Sequence, residues 1–195
     1  MKNKGLTLVE VLTALAIMGM VIIAVTGFLN TGIKTSSRAN VEANLQKEAQ
    51  TSLNQLTDWL MSSNHGIAVY PACSYYDQAV GIYHDGESNT DKYVHILYYR
   101  KSDNKVYYDK IFISASFQGT EVQIRDAAAT IDSSNAWNEH LFCEYVKEFN
   151  LDISSITKKY VELKMILRLQ NIEYNQQVKK IMLRNEPVTN PTDYN

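Results

Sequence analysis

The sequence predicts an α+β protein in which a long N-terminal hydrophobic helix packs on a C-terminal antiparallel β-sheet domain. Three observations predict it: an apolar run from Leu6 to Leu29, apolar residues at spacings of three and four from Val41 to Leu60, and period-two alternation from Tyr93 onward. The chain of 195 residues has room for one ordinary domain beyond the apolar run. Its 19 Lys and Arg against 21 Asp and Glu give a net charge of −2, which argues against a nucleic-acid partner held by a basic surface.

Residues 1–5 carry Lys2 and Lys4, and the apolar run begins at once with Leu6. A secretory signal has an apolar core of about 7 to 15 residues followed by a small-x-small cleavage site. The run from Val11 to Leu29 exceeds that, and Ala24-Val25-Thr26 is a poor cleavage match. A membrane anchor fits better, because about 20 mainly apolar residues span a bilayer core. Lys2 and Lys4 then favour a cytoplasmic N-terminus. An anchor leaves Glu10 unexplained. A carboxylate in a membrane helix costs about 2.5 to 3.5 kcal/mol at the bilayer centre and less near the interface, so it usually marks a partner or a function.

Helical periodicity continues past the apolar run. Val41, Leu45, Ala49, Leu53, Leu56 and Leu60 share one face of an amphipathic helix. No proline precedes Pro71, and Asn64-His65-Gly66 supplies a stop, so one helix is predicted over Leu6 to Ser63. Its inner half, residues 6–29, is expected in lipid or in an assembled protein core. Its outer half, residues 30–63, is expected to lay its apolar stripe on the domain that follows. Gly27 and Gly32 each weaken the helix by about 1 kcal/mol relative to alanine. They are either bend points or the ordinary glycines of a membrane helix.

Residues 64–185 are expected to form the sheet domain. Tyr93, His95, Leu97 and Tyr99 alternate with Val94, Ile96 and Tyr98, and Lys105 to Ser114 follows the turn Ser102-Asp103-Asn104, which predicts a hairpin. Leu141 to Ile153 reads as a short helix feeding a strand. Val161, Leu163, Met165, Leu167 and Leu169 alternate with Glu162, Lys164 and Arg168, and Tyr174 to Leu183 returns after a turn near Gln170-Asn171. These strands predict an antiparallel sheet with one face covered by the outer half of the helix. Residues 186–195, with Pro187 and Pro191, read as a flexible end.

Candidate chemistry is sparse. His65, His84, His95 and His140 are scattered, without a Cys or carboxylate at metal-ligand spacing, and read as surface or half-buried side chains. The loop from Asp85 to Asp91 is rich in oxygens but lacks the spacing and terminal bidentate glutamate of a calcium loop, so it reads as a solvated turn. No Gly-rich phosphate loop, nucleophile elbow or zinc motif occurs. The expectation is a protein without cofactor or metal that is not an enzyme. The 13 tyrosines include Tyr75-Tyr76, Tyr98-Tyr99 and Tyr107-Tyr108, which suit a contact surface and, more ordinarily, a half-exposed sheet.

The segment Lys4-Gly5-Leu6-Thr7-Leu8-Val9-Glu10, followed by Val11 to Ile17, resembles the class III leader of type IV pilins and pseudopilins. The resemblance implies that prepilin peptidase cuts between Gly5 and Leu6 and N-methylates Leu6, although the family most often has phenylalanine there. It also implies that Glu10 acts in subunit assembly. The new Leu6 amine meets the Glu10 carboxylate of a neighbouring subunit, and a close opposite pair recovers much of the cost of charges in a low dielectric. Without cleavage, Glu10 is simply a carboxylate that reaches water and headgroups.

Tyr145 to Leu151, the alternating strand pair and the ending Ile181-Met182-Leu183-Arg184-Asn185 are similar to W-type minor pilins and J-type pseudopilins. Those relatives act near a filament tip, where they help initiate assembly. Other pilin subunits, the assembly machinery and the membrane are therefore the expected partners. The expected location is single-pass in the membrane before assembly and extracytoplasmic in a filament after it. Cys73 and Cys143 would both face an oxidising compartment. They are candidates for one internal disulfide, and equally for two buried free thiols. Loss of Lys2 and Lys4 with the leader deepens the acidic excess, so no nucleic-acid binding is expected of this chain alone. A major pilin, and a signal-anchored extracellular binding domain that never polymerises, are the alternatives.

Overall fold

The computed structural model describes residues 7–85, 92–114 and 116–185. Gly5 and Leu6, residues 86–91 of the oxygen-rich loop and the tail 186–195 lie outside the described residues. The chain divides into two compact units, Met1–Ala43 and Asn44–Asn195. Helix α1 (Leu8–Ser62) contributes residues to both.

In the first unit α1 is apolar and exposed. Its most apolar 18-residue window has no buried residue, and Leu8 and Phe28 are each 78% exposed. The hydroxyls inside this stretch turn back on the helix: Thr26 Oγ1 donates to the Ile22 and Ile23 carbonyls at 2.9 Å, and Thr31 Oγ1 to the Gly27 carbonyl at 3.0 Å. Polar side chains satisfied in this way remain compatible with an apolar surrounding.

In the second unit, from Asn44 onward, α1 becomes amphipathic as its spacing predicts. Leu45, Ala49, Leu53, Leu56 and Leu60 are buried. The helix stops where Ser63 Oγ donates to the Gly66 carbonyl at 3.0 Å and the Tyr83 carbonyl at 3.2 Å. Next to it the Asn64 side chain bonds both the carbonyl and the amide of Asp85.

Five strands follow in antiparallel order: β1 (Gly66–Tyr70), β2 (Gln78–His84), β3 (Tyr93–Arg100), β4 (Lys105–Phe112) and β5 (Leu141–Cys143). The β3–β4 hairpin has the expected turn, with Tyr98 opposite Tyr107 and Asn104 at φ 55°. A residue such as Asn tolerates that left-handed conformation better than most.

The outer half of α1 covers one face of this sheet as expected, and helix packing occurs on the other face as well, because β2 and β3 are buried at nearly every position and an alternation with two apolar faces requires cover on each. The second helix, α2 (Glu121–Ser133), lies in the region the sequence left unread. Ile124, Ala128 and Ile131 join Tyr70, Tyr76, Ala79, Tyr83, Val94, Ile96, Tyr98, Tyr107 and Trp137 in one core. Its start is a capping box, Thr120 with Gln123.

The loop into α2 is anchored at Gly119, whose carbonyl accepts the Tyr70 hydroxyl at 2.7 Å and the Tyr83 hydroxyl at 2.9 Å. Gly119 has φ +76°, and a Cβ there would collide with the Tyr83 ring and hydroxyl. Only glycine combines that conformation with that approach.

One expectation needs correction, and it concerns the C-terminal half. The strands belong to two sheets, because Tyr145 at φ 63° turns the chain between β5 and β6 (Val146–Asp152). Strand β6 heads a three-stranded antiparallel sheet with β7 (Tyr160–Leu169) and β8 (Ile172–Met182). The short helix expected from Leu141 is replaced by a 3-10 turn that ends before it, at Trp137–His140, and by β5 paired with β4. The two sheets are tied by the Gln78 side chain, which bonds Asn150 Oδ1 and the Leu151 amide, and by the Tyr99 hydroxyl on the Lys147 carbonyl at 2.6 Å. Lys179 Nζ donates to Thr57 Oγ1 at 3.1 Å, which binds the second sheet to α1.

Two substitutions test this packing in urea titrations of the detergent-solubilised chain. Leu56→Ala is expected to lower stability by about 2 to 5 kcal/mol, the range for a truncated core leucine. Gly119→Ala is expected to cost about 2 to 3 kcal/mol through backbone strain and the collision with Tyr83.

Candidate assembly site

Thr7 precedes the first residue of α1, which makes it the N-cap, and Glu10 then stands at the third helical position. The two side chains cap the helix reciprocally. The Glu10 amide donates to Thr7 Oγ1 at 3.3 Å. The Thr7 amide and hydroxyl donate to Glu10 Oε2 at 2.8 and 2.9 Å. This is a capping box, and a carboxylate in the first turn also meets the positive end of the helix dipole. The Glu10 role in the cap was legible as T-x-x-E ahead of an apolar run, a signal the sequence reading passed over for the glutamate alone.

Both Thr7 donors converge on one oxygen of an exposed carboxylate, and a carboxylate offers about four acceptor sites over its two oxygens. The remaining capacity suits an ammonium group brought from elsewhere. Around it, Leu8, Val9, Val11 and Leu12 are exposed apolar side chains. An apolar collar around a carboxylate lowers the local dielectric once another apolar surface covers it, which strengthens any charge pair formed there.

The structure places the other singled-out residues in the second unit. Cys143 is buried on β5, against Ser52 and Glu48 of α1, and burial first of all pushes its thiol up to about 12. A thiol so placed is unreactive at neutral pH. Cys73 is partly buried on the α2 side of the sheet and accepts the Tyr75 amide at 3.4 Å. Both cysteines are free thiols in the structure. Of the tyrosine pairs, Tyr98 and Tyr107 enter the α2 core while Tyr99 and Tyr108 point to the opposite face, as strand alternation demands.

His65 and His140 are separate: His65 Nδ1 lies 3.1 Å from Asp85 Oδ2, and His140 Nδ1 lies 3.1 Å from the Tyr108 carbonyl. His84 and His95, unrelated in the sequence reading, are brought together with ring centroids 5.0 Å apart. Among the described residues no three His, Cys, Asp or Glu side chains converge as metal ligands.

Thr7→Ala, which removes the hydroxyl from the cap but keeps the carboxylate and the residue 7 amide, is expected to cost about 1 kcal/mol of local helix stability. Faster amide exchange confined to the first turns of α1 would be the readout.

Residues 1–26 match the family model for the prokaryotic N-terminal methylation motif. Neither a curated protein nor a solved structure matches the chain.

Proposed function

We propose that this chain is a minor type IV pilin or pseudopilin, a structural subunit that enters a thin filament through its N-terminal helix and helps to initiate or cap it. The observation that carries this reading is a coincidence on one segment. The methylation motif spans residues 1–26, and helix α1, which begins inside it at Leu8, has an 18-residue apolar window with no buried residue. An exposed apolar surface of that size calls for lipid or for apolar partners.

The proposal assigns residues 1–5 to a leader removed by prepilin peptidase between Gly5 and Leu6, and Leu6 to N-methylation. Residues 6–29 form the membrane and assembly segment, residues 30–63 the outer helix and residues 64–185 the sheet domain, with 186–195 as a tail. Before assembly the protein spans the membrane once with its N-terminus in the cytoplasm, and Glu10 is held by its own Thr7. In the filament the Leu6 amine of a neighbour takes the free side of the carboxylate, because the Thr7 hydrogen bonds leave the charge of Glu10 unneutralised and acceptor sites open, and an ammonium supplies both a full positive charge and donors.

Intact-mass measurement of the native protein tests the processing. A chain beginning at Leu6 with one added methyl group is expected, and replacement of Gly5 is expected to preserve the full precursor mass. An intact Met1 in cells that contain the peptidase overturns the proposal.

Thr7→Ala separates capping from assembly. Glu10→Ala is expected to leave cleavage intact and to reduce incorporation about tenfold or more, the factor for about 1.4 kcal/mol. Thr7→Ala, which loses the hydroxyl half of the cap but keeps the carboxylate, is expected to assemble nearly as well as the unaltered chain. Equal defects in the two variants would reduce Glu10 to a helix cap.

A further inference from the structure

The last turn of α1 meets the five-stranded sheet through aromatic rings, and two of them are imidazoles. Trp59 stacks on His95 at 4.6 Å with the planes 8° apart, and on Tyr108 at 4.8 Å. In the β2–β3 register His84 is opposite Tyr93 and His95 is opposite Ile82, so the two histidines are diagonal neighbours on one face. Their rings meet edge to face at 5.0 Å, and His84 also stacks on Tyr93 at 5.0 Å. The backbone of Ser62, at the end of α1, hydrogen-bonds the His84 ring. Both side chains are buried, with exposures of 5% and 7%.

The groups that face this pair offer a proton little. From α1 come the Trp59 ring and the Ser62 carbonyl. From β3 comes Tyr93, and from β4 come Tyr108, whose hydroxyl is 2.8 Å from His95 Nδ1, and Lys110, whose Nζ lies 4.0 Å from the Tyr93 ring centre. Asp85, just beyond β2, is the acid of the neighbourhood among the described residues, and it is already engaged by His65 at 3.1 Å and Lys92 at 4.0 Å. His84 Nε2 is buried without a hydrogen-bond partner among the described residues, so a proton placed there finds no acceptor. The face of Trp59 favours a cation by about 0.5 to 2 kcal/mol. Against that stand the burial of the ring, the second imidazole and Lys110.

We propose that the His84–His95 pair is a proton-operated latch. It holds the last turn of α1, Trp59 to Ser62, on the five-stranded sheet while both rings are neutral and releases that turn when either ring is protonated.

The direction of the pH effect follows from the surroundings. Burial, then His84, then Lys110 hold His95 down at about 4. Burial in the first place, with Lys110, also lowers His84, against the pull of Ser62 and Asp85. An unlatched histidine titrates near 6.5. The open form therefore takes up protons first, and the latch is complete above about pH 6.5 and lost as pH falls toward 4. For His95 alone, a ring at about 4 when closed and 6.5 when open shifts the equilibrium toward opening by about thirtyfold at pH 5.

Amide exchange of the full chain in detergent micelles, at about pH 7.5 and about pH 5 and corrected for intrinsic rates, tests the latch. Protection over residues 56–63 is expected to fall about thirtyfold or more at the lower pH while α2 keeps its protection. In the double variant His84→Gln/His95→Phe, which cannot titrate at either position, the fall is expected to disappear. If that variant does not fold, NMR titration of the two imidazoles in the unaltered chain replaces it, and their midpoints should lie below that of free histidine and follow the loss of protection. Unchanged protection at pH 5, an equal loss over α2, an undiminished fall in the double variant, or rings that titrate like free histidine would each overturn the latch.

Discussion

Burial of the stripe Leu45, Ala49, Leu53, Leu56 and Leu60 is the constraint on which the second unit depends. Each of the four leucines contributes about 1.5 to 3 kcal/mol by leaving water, and together they decide which face of the five-stranded sheet the helix occupies. Once that face is taken, the equally apolar opposite face must be covered by something else, and α2 supplies Ile124, Ala128 and Ile131 for it. The Gly119 carbonyl, bonded by two tyrosine hydroxyls, fixes where α2 begins. The three-stranded sheet then attaches through Gln78, Tyr99 and Thr57, all on elements already positioned by the stripe.

The same helix carries the opposite surface in the first unit. From Leu8 to Leu29 the apolar side chains are exposed, and the threonine hydroxyls bond their own backbone, a composition fit for lipid or apolar neighbours. Helix α1 therefore carries two kinds of surface, an exposed apolar one in the first unit and an amphipathic one in the second. Burial of the outer stripe anchors a folded domain to one stretch of a helix whose other stretch remains available for assembly. That division suits the proposed subunit, where the polymerising surface and the exposed domain vary independently.

Polar groups inside the second unit are handled by position rather than by number. Tyr70 and Tyr83 find Gly119, Tyr99 finds the Lys147 carbonyl, and Trp137 Nε1 donates to Asp132 at 2.8 Å. The histidine pair differs from these groups, because its burial suits only the neutral rings. A contact whose stability depends on protonation, set at the junction of α1 with the sheet, couples the outer end of the helix to the pH around it.

Local periodicity made much of this readable in advance. Helix α1 ends at Ser62, one residue from its expected stop, and the two hairpins, β3–β4 and β7–β8, turn at Ser102-Asp103-Asn104 and Gln170-Asn171 as read. Helix α2 was encoded too, in Thr120, Gln123 and the spacing of Ile124, Ala128 and Ile131, but its window is short and weakly apolar. The amino-acid sequence by itself determined the apolar segment, the methylation motif, the helical stripe and the strand periods, since each depends on neighbours a few residues apart. Only the tertiary structure decided that the strands divide into two sheets, that a helix lies on each face of the first, and that His84 meets His95. Those outcomes depend on register and on which apolar faces meet, and residues far apart in the chain settle them together.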